Sequence, residues 1–165
     1  MKKILLSIVL LFVLQCVLAQ ASVSYYKGEW TSLNKHDLFT GIFKIDINVQ
    51  NKATIEIVWT YLAIDSANEN LMKMYKGKKG RSGIEYAAGI FSAATNDLSF
   101  EGKSSDDPSL ILGLDKYHLK LSANKQAIYG ISETQGTNQG LLYATKLPNA
   151  TGKKEFIAAK ARIKK

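Results

Sequence analysis

The sequence predicts an all-β protein, an eight-stranded antiparallel up-and-down barrel. Three observations carry the prediction. Apolar and polar residues alternate with a period of two along most of the chain after residue 23. Short turn sequences such as "VQNKA", "ATND" and "ANKQ" separate the alternating runs, as antiparallel neighbours require. Glycines 28, 41, 89, 102 and 130 fall inside strand patterns, where they permit the coiling and close approach of a strongly curved sheet. A two-sheet sandwich is the alternative architecture, and the meander of hairpins favours the closed barrel, which leaves no edge strand.

The elements follow in order. "SYYKGEWTSL" (24–33) sets Tyr26, Gly28 and Trp30 on one side. "FTGIFKIDINV" (39–49) sets Phe39, Phe43, Ile45, Ile47 and Val49 mostly on one side, opposite Lys44, Asp46 and Asn48. "ATIEIVWTYL" (53–62) sets Ile55, Ile57, Trp59 and Tyr61 opposite Thr54, Glu56 and Thr60, and Asn51 in the preceding turn suits a left-handed position. The period then breaks. Ser66 and Glu69 have capping-box spacing and Gly77 can end a turn, so a short helix or lid is expected near 67–76. "GKKGRSG" reads as a loop. "GIEYAAGIFSAATNDLSFEG" (83–102) is strand, turn and strand. "KSSDDPSLILG" is a longer connection, because Pro108 cannot join a central ladder, and Asp106 and Asp107 suit a turn cap. "LDKYHLKLS", "AIYGISET" and "LLYATKL" complete the series.

The first 21 of the 165 residues stand apart. A basic "MKK", the apolar run "ILLSIVLLFVLQCVLA" and small residues at Ala19 and Ala21 form a secretory signal peptide. The expected organisation is a signal at 1–21, a barrel domain at 22–148 and a basic tail at 149–165. The protein is therefore expected to be exported, periplasmic or secreted, and the "MKK" start points to a bacterium. Cys16 is the one cysteine, and Gln15 before it argues against lipidation. Loss of the signal leaves no thiol, which excludes disulfides, cysteine nucleophiles and thiolate metal sites.

The net charge of +8 is uneven. Lys153, Lys154, Lys160, Arg162, Lys164 and Lys165 face Glu155 alone in the tail, so the body is nearly neutral and no nucleic-acid partner is expected. The tail is expected to be a solvated end, dispensable for folding, that settles on an anionic surface. Lys76, Lys78, Lys79 and Arg81 form a second basic cluster, read as an anion-attracting loop. Oligomeric state is not legible.

Gly28-Glu29-Trp30 resembles the G-x-W signature of the calycins, the superfamily of lipocalins, fatty-acid-binding proteins and avidins. The resemblance implies a barrel over 24–147, a Trp30 packed across the closed end, and a basic residue from the last strand, Lys146, lying over it. The T-D-Y-x-x-Y motif and the tryptophan set of the avidins are absent, so the resemblance implies architecture and no ligand.

No cofactor motif occurs, neither G-x-S-x-G nor a Walker sequence, and two histidines without shared spacing make no zinc site. His36-Asp37 reads as a solvated turn and His118 as a surface residue beside Lys120. Glu85 shares a side with Gly83, Ala87 and Gly89. The rarity of buried acids places it on the outer face, with Tyr86 in the core beside Ile84 and Ile90. Aromatic residues could fill the barrel or line a cavity, since eight strands allow either. Tyr26, Phe43, Trp59, Tyr61, Tyr117 and Tyr129 are the candidate ligand-lining set. The leading functional reading is an exported non-enzymatic barrel that binds a small apolar or amphipathic molecule. The alternatives are a filled module that binds protein or glycan through its loops and outer face, and an enzyme that uses Glu85 or Asp106/Asp107 with His118.

Overall fold

The computed structural model describes residues 22–33, 37–64, 72–73, 75–134 and 139–163. The signal segment and Cys16, and most of the expected helix at 67–76, lie outside them. Eight strands follow one another: β1 Ser22–Ser32, β2 Asp37–Ile47, β3 Lys52–Ile64, β4 Ser82–Ser92, β5 Asp97–Asp106, β6 Asp115–Leu121, β7 Ala127–Thr134 and β8 Gln139–Leu147. Each pairs antiparallel with its sequence neighbours, and β1 pairs with β8, so the sheet closes. A helix, α1, spans Asn149–Ile163. This is the up-and-down architecture that the calycin resemblance implies.

The two ends of the barrel differ. One carries tight hairpins at 48–51, 93–96 and 122–126. Each hairpin has one left-handed residue, Asn51, Asn96 or Lys125, at φ of 56–60°. Asparagine tolerates this conformation better than most residues because its amide bonds locally. The other end carries the connection at 107–114 and the described part, 75–81, of the connection between β3 and β4.

The interior at the hairpin end is solid. Phe43, Ile55, Ile57, Leu98 and Ile128 are fully buried, so no water-sized space adjoins them. The Tyr26 hydroxyl donates to the Lys125 carbonyl at 3.1 Å and ties the hairpin at 122–126 to the barrel wall. Burial of this hydroxyl pushes its pKa upward.

The C-terminal tail corrects the expectation of a solvated end. Gly152, Phe156, Ala159 and Ile163 recur at helical spacing and form one stripe along α1. That stripe covers Tyr25, Val58 and Ile84 on the outside of the wall. Phe156 and Ile163 are buried, and the Phe156 ring lies 6.1 Å from that of Tyr25. Gly152 lets the first turn approach the wall, since a Cβ there would sit 2.3 Å from the Tyr25 Cβ. Glu56 accepts from Lys44 at 2.5 Å and from Lys160 at 2.8 Å, and Lys27 bonds Glu155 at 2.9 Å. A segment marginal alone in water becomes helical because tertiary burial supports it.

The same helix explains a reversal on β4. Ile84 and Tyr86 face outward against α1, while Ile90 is exposed beyond it. The inward set is Gly83, Glu85, Ala87, Gly89 and Phe91. Ile84 and Tyr86 thus belong to a second core beneath the helix and not, as their parity suggests, to the barrel interior.

Candidate functional site

The loop end of the barrel contains a cavity of about 310 Å³. Its side wall is aromatic: Trp30 on β1, Phe39 on β2, Trp59 on β3 and Tyr117 on β6. Phe39 joins this wall together. Its ring lies 5.6 Å from Trp30, 6.4 Å from Trp59 and 5.3 Å from Tyr61, in edge-to-face arrangements. Tyr75, from the β3–β4 connection, stacks on Tyr61 at 4.9 Å and lines the cavity above it.

The tryptophans occupy sockets left by glycine. A Cβ at Gly41 would lie 2.6 Å from the Trp59 ring, and one at Gly140 would lie 2.1 Å from that of Trp30. The Trp30 indole N–H donates to the buried Ser132 hydroxyl at 2.5 Å, which fixes its rotamer.

Glu85 is the polar centre of the cavity. It is 1% exposed. Its Oε2 accepts from the Trp59 indole N–H at 3.0 Å and from the Tyr117 hydroxyl at 2.8 Å. Its Oε1 is buried with no hydrogen-bond partner. That oxygen occupies space left by Gly102, where a Cβ would stand 2.3 Å away. Burial raises the carboxyl pKa, the bonds from Trp59 and Tyr117 pull it back, the Asp115 charge pushes it up, and the Asp115 backbone N–H beside the carboxyl pulls it down again. The outcome is about 7. The expectation that Glu85 lies outside is therefore wrong. Gly83 and Gly102, where a side chain would meet the loop or the carboxyl, make room at this end, whereas Gly89 serves strand approach.

Two further carboxylates line the cavity, Asp37 at the start of β2 and Asp115 at the start of β6. Both are buried, so Asp37 is not the solvated turn residue that its sequence setting suggests. Burial and the Asp37 charge raise the Tyr61 hydroxyl to about 12. Burial, followed by the charges of Glu85 and Asp115, also raises Tyr117. No basic side chain occurs among the described residues that line this cavity.

The 107–114 connection roofs the site. Asp107 Oδ2 accepts from the backbone N–H groups of Ile111 and Leu112, both at 2.6 Å, and folds the loop inward. Ile111 is buried in the core, whereas Leu110 is 79% exposed at the mouth with φ of 53°. The Lys78 ammonium donates to the Leu110 carbonyl at 2.9 Å and lies 5.3 Å from the centre of the Tyr75 ring. It thus joins the two connections above the mouth.

Of the other expected residues, Tyr26 and Phe43 pack in the solid half. Tyr129 is corrected: it lies 43% exposed on the outer face, paired with Tyr143, because the inward parity of β7 belongs to Ile128 and Ser132. Lys146 is also corrected. Its register partner on β1 is Tyr26, whereas Trp30 faces Leu142. Four residues separate the two positions, about 13 Å of strand. Trp30 belongs to the loop end and the cavity. Lys76 and Lys79 are exposed. Lys78 and Arg81 line an outer groove of about 960 Å³ with Arg162 and Asp106.

Glu85 and His118 lie on opposite faces of the wall. His118 is exposed beside Ser99 at 3.4 Å, so it does not converge with Glu85, whereas Asp106 lines the outer groove and Asp107 folds the 107–114 connection. Among the described residues, no three His, Cys, Asp or Glu side chains are placed to hold a metal ion. No family model matches the chain, and no curated protein or solved structure is significantly similar to it.

Proposed function

We propose that this is an exported, non-enzymatic barrel that holds a small apolar or amphipathic molecule in its loop-end cavity. One observation carries the reading. A chamber of about 310 Å³ has aromatic walls and, between Trp59 and Tyr117, the hydrogen-bonded carboxyl of Glu85, inside an otherwise packed barrel. Ligand sites are commonly apolar chambers with a few convergent polar groups, and this volume is at their smaller end. The hairpin half is solid, so the ligand enters at the opposite end, beside Tyr75 and Leu110.

Native mass spectrometry of protein purified from its own host tests this. The expected spectrum shows a mature chain beginning after Ala19 or Ala21, plus a small adduct lost on denaturation. A bare mass, together with a melting midpoint unchanged by a broad small-molecule panel, would overturn ligand binding. A chain retaining residues 1–21 would overturn export.

A second reading, interaction through the outer wall, is favoured by Tyr129, Ile131, Leu141 and Tyr143. They are exposed as two cross-strand pairs on β7 and β8. Substituting Tyr129 and Ile131 by serine should abolish any pull-down partner without altering ligand uptake. Retention of the partner would remove this reading.

A further inference from the structure

We infer that the ligand is a small organic cation, an alkyl or aryl amine, held with its charge among the rings of the cavity and near Glu85. The inference rests on the cavity reading above and adds the sign of the ligand's charge. Three observations support it independently of the fold. Trp30, Phe39, Trp59, Tyr75 and Tyr117 present several aromatic rings to one chamber. Ring faces attract cations, most strongly when water is excluded, and aromatic cages are a recurrent solution for ammonium groups. The charged side chains that line the chamber are acidic, Asp37 from β2, Glu85 from β4 and Asp115 from β6, while Lys78 at the mouth is already tied to the Leu110 carbonyl over the Tyr75 ring. A carboxylate or phosphate ligand would meet the Glu85 carboxyl, and like charge, at the centre of the chamber.

Glu85 supplies the third observation. Its Oε2 is already occupied by Trp59 and Tyr117, while Oε1 has no partner. A buried acid in this state gains little from being ionised until a positive charge arrives. Its pKa of about 7 is the measure of that cost. An entering ammonium group stabilises the carboxylate, and the carboxyl proton leaves to solvent as the ion pair forms. Binding and proton release are then one event. The titratable neighbours are Asp37 and Asp115, Lys78 at the mouth, Tyr75 and Tyr117 on the wall and Tyr61 stacked behind Tyr75; the three hydroxyls are all raised and stay protonated near neutrality.

The test uses three probes of nearly one shape: 2-phenylethylamine, 2-phenylethanol and phenylacetate, titrated calorimetrically into the mature protein. The amine should bind at least about tenfold more tightly than the alcohol, and phenylacetate should not bind. Amine affinity should rise with pH to a plateau above about 7, by up to about tenfold per unit below it. Heats measured near pH 6.5 in two buffers of different ionisation enthalpy should reveal proton release. Glu85→Gln should remove the pH dependence and most of the preference for amine over alcohol. If that variant does not fold, the wild-type pH series and buffer pair decide alone. An alcohol bound as tightly as the amine overturns the cation and leaves the cavity reading intact. Uptake of none of the three also overturns the cation, and the native mass spectrum then decides the cavity reading separately.

Discussion

Replacing Glu85 by glutamine keeps the shape of the side chain and removes its charge, so the consequence for stability can be worked through. In the unfolded chain the carboxyl has its ordinary value of 4.5, and in the folded barrel about 7. The folded state therefore holds a proton that the unfolded state has released, and stability falls as pH rises through this window. Each unit of difference corresponds to about 1.4 kcal/mol, so the wild type should lose about 3 kcal/mol between pH 4.5 and pH 8 through this one group. The glutamine variant cannot ionise. Its amide oxygen can still accept from Trp59 and Tyr117, and its NH2 takes the position of the partnerless Oε1. Below pH 5 the two proteins should be similar in stability; at pH 8 the variant should be more stable by up to about 3 kcal/mol. Urea unfolding of both proteins at four pH values measures this, and the difference between them cancels every other titrating group. A difference that stays flat from pH 4.5 to 8, or a Glu85 carboxyl carbon that titrates near 4.5 by NMR, would refute the buried placement.

Phe156→Ala should destabilise the barrel by about 3–5 kcal/mol, because it opens the core between α1 and the wall; an unchanged urea midpoint would mean that the helix is not docked. Truncation after Gly152 should likewise lower the midpoint, since it uncovers Val58 and Ile84. Gly102→Ala should destabilise the barrel by about 1–3 kcal/mol, because its Cβ would stand 2.3 Å from a buried carboxyl that Trp59 and Tyr117 hold in place, and the displaced carboxyl should show a shifted titration. Burial raises the pKa of Glu56, but the bonds from Lys160 and Lys44 outweigh it and leave the carboxyl below its usual value. The stability this network contributes should be lost as pH falls below about 4.5, and Glu56→Gln should remove that acid dependence without affecting the window of Glu85.

Strand order and most strand limits were legible because alternation on β1, β2, β3 and β6 has one clear apolar side. Asn51 in its turn was legible for a similarly local reason. The site was less legible because its decisive signals are complementary volumes on different strands. On β4 the bulky Ile84, Tyr86 and Ile90 present the stronger apolar side and mask the inward direction of Glu85. The contrary signal was Phe91, which shares the parity of Glu85, and large Trp59 lies opposite Gly41 and Gly83 in register. Asp115 shares the parity of Tyr117, Leu119 and Leu121, so its inward direction could have been read from its strand. Tyr75 and Ile111 could not, since connections have no period and reach the cavity only through contacts such as Asp107 to Leu112. The helical tail was readable in its 152, 156, 159 and 163 spacing, but only if Gly152 is counted as part of the apolar stripe.

The chain has two tryptophans, Trp30 and Trp59, and both stand in the wall of the same chamber. Its tryptophan emission therefore originates entirely at the place where a guest would sit. Trp59 is moreover bonded to Glu85, so the loss or gain of one carboxyl proton occurs 3.0 Å from an indole nitrogen. The unlabelled protein is thus its own optical sensor. Candidate compounds can be screened by the colour and intensity of its ultraviolet emission, with the Glu85→Gln variant as the matched control for the protonation signal.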